Sequence, residues 1–294
     1  MTMGFSEPAW SRRFVVSAAG IVAMASILPP LVMNQALAQS AGFRDLRARP
    51  TSIRLRGPDR PETRVWGYDG AVPGPTIRLK RGDELKVRLM NELPEPTLIH
   101  WHGVRVPNAM DGAPHLTQSP VEPGQRFEYR FAPPDAGTFW YHSSYAPGQQ
   151  QRGLYGALIV DESTPADVDR DVLLVLDDWR LNEDGSLDTD RPRSTAIAAG
   201  HRPLLTANSQ NNLAIPVRRN ERVRLRVINA ANARIMPVSV PGLTTWVVAI
   251  DGQPVAPFVA RASLAVLAPQ PRRPVRGCAR RQICCADRDR NHPR

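Results

Sequence analysis

The sequence predicts an all-β protein built from two β-sandwich domains in tandem. Twenty-nine prolines and twenty glycines are spread over 294 residues and separate many short apolar runs. Such punctuation is typical of strands joined by turns. Several runs alternate apolar and polar residues with a period of two, which is the pattern of a strand with one face on a core. We therefore expect short strands with Greek-key connections.

The clearest internal repeat joins residues 81–91 to residues 219–229. The sequences RGDELKVRLMN and RNERVRLRVIN share a turn with an acidic residue, an alternating strand and a final asparagine, 138 residues apart. This spacing indicates two copies of one β-domain. We place the first copy at 39–162 and the second at 163–268, and we expect the second to stop before its last strands.

Further strands follow in order within these two copies. In the first copy, DGAVPGPTIRLK (69–80) supplies a turn and a strand, and RFEYRF (126–131) alternates. GLYGALIVDE (153–162) closes this copy. DVLLVLDDW (171–179) opens the second copy with a nearly continuous apolar run, as expected of a buried strand.

The first 38 residues are typical of an export signal. Paired arginines at positions 12 and 13 precede an apolar stretch over 14–33, and the small residues ALA at 36–38 offer a cleavage site. Serine, glycine and a proline pair interrupt the apolar stretch, so we expect no membrane span in the mature chain. We interpret 1–38 as a twin-arginine-type signal and expect a periplasmic or secreted protein. An ordinary signal peptide or a membrane anchor is the alternative.

The formal net charge of +10 is concentrated in one segment. Residues 269–294 hold all three cysteines and eight arginines against two aspartates, a net +6. The body is then too close to neutrality to bind a phosphate backbone, and we expect no nucleic-acid partner. A disordered basic tail and a shifted reading frame after about residue 268 both explain this composition, and we favour the shifted frame.

Two stretches forty residues apart hold the candidate metal ligands. In HWHG, His100 and His102 are two residues apart in a predicted strand, so they face one side at about 6 to 7 Å while Trp101 faces the other. In GTFWYHSS, His142 ends another strand and Ser144 follows two residues later. Paired imidazoles suit copper or zinc. Two partly exposed strand histidines are the alternative interpretation.

The segment HWHGVRVPNAMDGAPHLTQSPVEPGQRFEYRFAPPDAGTFWYH resembles the first domain of the multicopper oxidases, the laccase-like enzymes. The resemblance extends to YDGAVPGPTIRLKRGD and GLYGALIV, and VLLVLDDWRL, INAANARI and WVVAIDGQPV are similar to the middle domain of bacterial three-domain members. It covers about residues 60–268. It implies two cupredoxin-like domains, copper as the cofactor, and oxidation of a phenolic or metal-ion substrate with reduction of oxygen to water.

The resemblance also implies roles for individual residues. His100 and His102 match the motif that gives one ligand to the type 2 copper and one to the type 3 pair. His142 matches the first of two type 3 ligands in the second motif, and Ser144 stands where the family has the other. A serine hydroxyl is a poor copper ligand beside a neutral imidazole. We therefore predict His100, His102 and His142 as metal ligands and assign no catalytic residue.

The family's remaining copper ligands lie in a third domain, and they include the cysteine thiolate of the type 1 copper. Neither of that domain's histidine motifs occurs in this sequence, and no cysteine precedes Cys278. We therefore expect a copper protein of multicopper-oxidase descent that is inactive or impaired as an oxidase. If active, it would use molecular oxygen and a small reducing substrate. A non-enzymatic periplasmic scaffold and a copper-binding protein with an open three-imidazole site are the alternatives.

Overall fold

Strands dominate the computed structural model, which describes residues 42–189, 203–232, 234–260, 264–266 and 281–286. Eight strands form the first sandwich: β1 (Arg44–Ile53), β2 (Thr63–Tyr68), β3 (Gly74–Lys80), β4 (Leu85–Asn91), β5 (His100–His102), β6 (Arg126–Phe131), β7 (Gly137–His142) and β8 (Tyr155–Asp161). A 3-10 turn (Asn108–Met110) follows β5, and a short helix, α1 (Pro147–Gln151), lies between β7 and β8.

Two four-stranded sheets make up the first sandwich, with strand orders β2-β1-β4-β6 and β3-β8-β7-β5. β1 runs parallel to β4, and β3 runs parallel to β8, so these two pairs of sheet neighbours are separated along the chain. The period-two pattern of β4 has the predicted effect, because Leu85, Val87 and Leu89 are fully buried while the residues between them are half-buried. The all-β prediction is confirmed.

The described residues of the second sandwich form eight further strands: β9 (Arg170–Trp179), β10 (Leu204–Ala207), β11 (Val223–Asn229), β12 (Met236–Val238), β13 (Thr244–Ile250), β14 (Gln253–Val259), β15 (Leu264–Val266) and β16 (Arg281–Ala286). Six of them form one sheet in the order β10-β9-β11-β16-β13-β14, and β12 pairs with β15. Their buried apolar residues include Val227, Val247 and Leu264, which belong to a separate core cluster.

The repeated turn has the same hydrogen bonds in both sandwiches. The acidic residue of each turn, Asp83 or Glu221, accepts the backbone N–H three residues earlier, at 3.0 and 2.7 Å. Gly82 and Asn220 occupy the same left-handed position, with φ of 94° and 62°. Each turn then leads into a strand that runs parallel to the first strand of its sandwich, β1 or β9.

The asparagine that ends each repeated strand also makes equivalent contacts. The Oδ1 atoms of Asn91 and Asn229 each accept the N–H two residues later at 3.0 Å. Each Nδ2 donates to two backbone carbonyls, one four or five residues later and one on a distant segment, at 2.7 to 3.0 Å. The two repeated segments therefore have the same local structure.

Side chains from both sandwiches share one apolar cluster. Trp140 and Tyr155 of the first sandwich pack there with Trp179 and Ile228 of the second. Burying each such side chain stabilises the folded chain by roughly 1.5 to 3 kcal/mol. Trp140 lies on β7, so this cluster supports the strand that carries His142.

The predicted tail differs from the structure at β16. This strand lies between β11 and β13 and is antiparallel to both. Without it, β11 and β13 would each leave a row of unpaired backbone N–H and C=O groups, and β16 pairs both rows. Residues 281–286 are thus a paired strand of this sheet, within the segment for which the sequence predicts a basic tail. The rest of 269–294 and the predicted signal over 1–38 lie outside the described residues.

In the described part of the chain, no helix is both long enough and apolar enough to cross a membrane.

Candidate metal centre

The HWHG segment forms β5, and its side chains point to opposite faces of the sheet. Trp101 is fully buried in the core of the first sandwich, where its ring lies 5.4 Å from that of Tyr129 and 5.3 Å from that of Phe131. His100 and His102 lie on the other face and are half-buried. The alternation thus anchors the segment through the tryptophan and presents both imidazoles together.

The neighbouring strand brings in a third imidazole. β5 pairs antiparallel with β7, and the register places His142 directly opposite His100. One nitrogen atom from each of the three rings lies within 4.8 Å of the others. Among the described residues, this is the one group of three or more histidines, cysteines or acidic residues with such spacing.

Backbone carbonyls fix the tautomer of two of the rings. The Nδ1 atom of His100 lies 2.7 Å from the carbonyl oxygen of Asp111, and that of His142 lies 2.8 Å from the carbonyl oxygen of Ser143. Since a carbonyl can only accept, both Nδ1 atoms carry the proton, and each neutral ring keeps its lone pair on Nε2. Metal-binding histidines are commonly oriented in this way.

The third ring, that of His102, faces His142 through its Nδ1 atom. Nδ1 of His102 lies 3.2 Å from Nε2 of His142. Two nitrogens bound to one ion at about 2.0 to 2.1 Å lie about 2.8 to 3.4 Å apart for bond angles between octahedral and tetrahedral values. The observed spacing fits two ligands of a single ion, and the all-imidazole donor set fits copper.

Trp140 forms the wall of this centre. Its ring stacks on His102 at 5.1 Å with an interplanar angle of 20°, and it lies 4.3 Å from the ring of His142. Trp140 is 1% exposed and His142 is 8% exposed, whereas His100 is more open to solvent. The histidines therefore rest on a rigid, dry surface on one side and are accessible from the other.

Ser144 does not extend the histidine group. Its hydroxyl donates a hydrogen bond of 2.5 Å to the carbonyl oxygen of Gly112, the peptide next to the one that accepts from His100. The loop at Asp111 and Gly112 therefore holds both sides of the centre. Gly112 has φ of 73°, and a Cβ there would lie 1.9 Å from the carbonyl oxygen of Ile99, so only glycine fits.

The other sequence candidates lie elsewhere. His115 is exposed, has φ of 62°, and does not join the histidine group. Gln149 is buried and binds the hydroxyl of Ser143, the residue whose carbonyl orients His142. Sequence reasoning missed the backbone of Asp111 and Ser143, because a carbonyl acceptor leaves no mark on residue type.

A buried acid–phenol pair lies behind the centre. Tyr155 stands opposite His142 in the pairing of β7 with β8, and its hydroxyl lies 2.6 Å from Oδ2 of Asp177. Burial raises the pKa of the Asp177 carboxyl well above its usual range, and the nearby Asp178 raises it further. Burial and the Asp177 carboxyl likewise raise the pKa of the Tyr155 hydroxyl.

Comparison with known proteins matches both sandwiches. Two family models described as multicopper oxidase match the chain, one over residues 51–165 and the other over residues 170–264. Copper resistance protein A of Escherichia coli is 32% identical over 260 residues, which cover 72% of this chain and 42% of that protein. The chain thus spans less than half the length of this curated relative.

Solved structures with the same fold include Lac15 and a multi-copper oxidase. Lac15 from a marine microbial metagenome has a TM-score of 0.69 and 39% identity, with 84% of this chain and 60% of that chain covered. A multi-copper oxidase from Pseudomonas thermotolerans has a TM-score of 0.73 and 34% identity, with 84% and 58% covered.

Proposed function

The chain belongs to the multicopper oxidase family, and we propose that its first sandwich binds copper through His100, His102 and His142. Family membership implies copper as the cofactor. The observation that carries the assignment of ligands is the convergence of three imidazole nitrogens within 4.8 Å, two of them on rings with tautomers set by backbone carbonyls.

Bound copper would supply one-electron redox chemistry and an open coordination position for oxygen. The residues of this chain would hold and orient it. Asp111 and Ser143 fix two rings through their carbonyls, and Trp140 excludes water from one side. In a complete enzyme of the family, we propose that this centre serves the oxygen side of a reaction that oxidises a phenolic or metal-ion substrate.

We propose that the 294-residue polypeptide by itself binds copper without rapid turnover of such a substrate. Three imidazoles suit one copper ion rather than a cluster of three. Residues 1–277 contain no cysteine that could give a type 1 copper its thiolate. The expected result with a phenolic substrate and oxygen is a rate close to the copper-only blank. Laccase-like turnover would contradict this proposal.

We also propose that the protein is exported before it functions. The paired arginines and the interrupted apolar stretch within residues 1–38 support a twin-arginine-type signal. A fusion of residues 1–45 to a reporter that is active only after folding in the cytoplasm should reach the periplasm. Substitution of both arginines by lysine should abolish that export, and unchanged export would point to an ordinary signal.

Copper titration tests the ligand assignment directly. The His102→Ala variant should lose at least about 10-fold in Cu(II) affinity, because it removes one of three ligands. The His115→Ala variant is the matched control, since His115 is an exposed loop histidine outside the group. Equal affinities for wild type and His102→Ala would rule out this site.

A scaffold that has lost copper is the second candidate, and Ser144 is the observation that favours it. Its hydroxyl is bound to Gly112 instead of completing the histidine group. The Ser144→His variant should raise copper uptake if the centre is a working remnant and leave it unchanged if the protein is a scaffold. Ser144→Ala is the control, because it removes the same hydroxyl without adding an imidazole.

A further inference from the structure

A buried polar network lies under the end of β7, centred on the side-chain amide of Gln149. Gln149 is 1% exposed. Its Oε1 accepts from Thr97 Oγ1 at 2.8 Å and from Ser143 Oγ at 2.5 Å. Its Nε2 donates at 2.7 Å to both Glu95 Oε1 and the carbonyl oxygen of Pro96. The amide thus uses its two donors and two acceptor positions fully.

Such a fully satisfied amide is rigid, because turning it over would leave buried donors and acceptors unpaired. The network therefore fixes the side chain of Ser143 against the segment at Glu95–Thr97. A second contact fixes the same residue from its backbone, since the Ser143 N–H donates to the carbonyl oxygen of Leu154 at 3.0 Å. With its side chain and its backbone N–H both held, Ser143 presents its carbonyl group in one orientation.

That carbonyl is the acceptor for the Nδ1 proton of His142, at 2.8 Å. Two hydrogen bonds therefore connect Gln149 to the copper site through Ser143. The Ser143 hydroxyl donates to Gln149, and the Ser143 carbonyl accepts from the His142 ring. At the far end, Nε2 of His142 faces Nδ1 of His102 at 3.2 Å.

We propose that Gln149 is a positioning residue of the copper site, which holds Ser143 so that its carbonyl keeps the Nε2 lone pair of His142 turned toward the space that it shares with Nδ1 of His102. This inference rests on the proposed copper site and adds a residue that does not contact the metal. Outer-shell partners of metal-binding histidines typically contribute about 10- to 100-fold to metal affinity.

The test uses Gln149→Met, which keeps side-chain length and removes all four hydrogen bonds. Gln150→Met is the matched control, because Gln150 lies on the same helix and donates instead to the carbonyl oxygen of Ala230 at 3.1 Å. Gln149→Met should weaken Cu(II) binding about 10-fold, and Gln150→Met should leave it within about 2-fold. Equal effects of the two variants would overturn the proposal.

A double-mutant cycle separates positioning from general loosening of the fold. In a His142→Ala background, Gln149→Met should no longer change Cu(II) affinity, because its route to the metal has been removed. Ser143→Ala removes the hydroxyl link and keeps the carbonyl, so it should reproduce part of the loss. An undiminished effect of Gln149→Met without His142 would contradict the inference.

A measurement on the metal-free protein tests the role of Gln149 separately from the proposed copper binding. Long-range ¹H–¹⁵N spectra of the apo-protein should show His142 protonated at Nδ1 in the wild type and a mixture of tautomers in Gln149→Met. If the wild type binds no copper, the proposed function fails while this measurement still decides the inference. An unchanged His142 tautomer in Gln149→Met would overturn it.

Discussion

Replacement of Gly112 by alanine should damage both the stability of the protein and its copper site. Gly112 has φ of 73°, and an added Cβ would lie 1.9 Å from the carbonyl oxygen of Ile99 and 3.0 Å from the backbone nitrogen of His100. The left-handed conformation alone costs alanine about 1 to 2 kcal/mol. Relief of the overlap requires a backbone shift of about 1 Å or more, and such overpacking costs about 1 to 3 kcal/mol.

The same shift would disturb the centre, because the peptides at Asp111 and Gly112 accept the hydrogen bonds of His100 and Ser144 at 2.7 and 2.5 Å. Moving a carbonyl by about 1 Å would take both contacts to or beyond the limit of a hydrogen bond. We therefore expect Gly112→Ala to lose about 3 kcal/mol in free energy of unfolding and at least about 10-fold in Cu(II) affinity.

Gly124→Ala is the matched control for that experiment. Gly124 has nearly the same backbone conformation, with φ of 77°, but an added Cβ there would meet no atom within 4 Å. It should lose only about 1 to 2 kcal/mol and bind copper normally. Urea unfolding followed by tryptophan fluorescence gives the stabilities, and a competition titration gives the affinities. If both variants behave alike, the assigned role of the Gly112 loop is wrong.

Two further predictions concern buried charged or ionisable side chains. Arg226 is 1% exposed and binds Asp171 at 2.7 Å, so Arg226→Met should cost about 3 kcal/mol in urea unfolding. Arg222→Ala breaks an exposed pair with Asp167 and should cost under about 1 kcal/mol. Similar losses in the two variants would show that burial of the Arg226 guanidinium does not strengthen its ion pair. The pKa of the Asp177 carboxyl is raised in the folded chain, so it keeps a proton that the unfolded carboxyl releases above about pH 4. This group therefore makes the free energy of unfolding fall as the pH rises toward the raised pKa. Asp177→Asn should show a smaller fall than the wild type between about pH 5 and 8 in urea unfolding, and an identical fall would show that the Asp177 carboxyl is not its source.

The alternating and repeated segments were predictable because they follow from side-chain type. The strand at Leu85–Asn91 and its copy at Val223–Asn229 combine a turn, a period of two and a final asparagine, and each of these features has a physical counterpart in the structure. The strand at Arg281–Ala286 was not predictable in the same way. It lies in an arginine-rich segment without periodicity, and its place depends on two open strand edges far away in sequence.

At the candidate site, too, some features were predictable from the sequence and others were not. The convergence of His100 and His102 follows from strand periodicity, and the addition of His142 follows from the pairing of β5 with β7. The support of these rings comes from backbone carbonyls and from a buried amide at Gln149. A backbone acceptor belongs to every residue type, so these contacts become visible only when the chain is folded.

The most direct test of the copper assignment is pulsed electron paramagnetic resonance of the protein loaded with one equivalent of Cu(II). We expect one dominant signal with coupling to three imidazole nitrogens, and the loss of one coupling in the His142→Ala variant. A signal without imidazole coupling, or one that is the same in the wild type and in His142→Ala, would show that His100, His102 and His142 do not bind copper together.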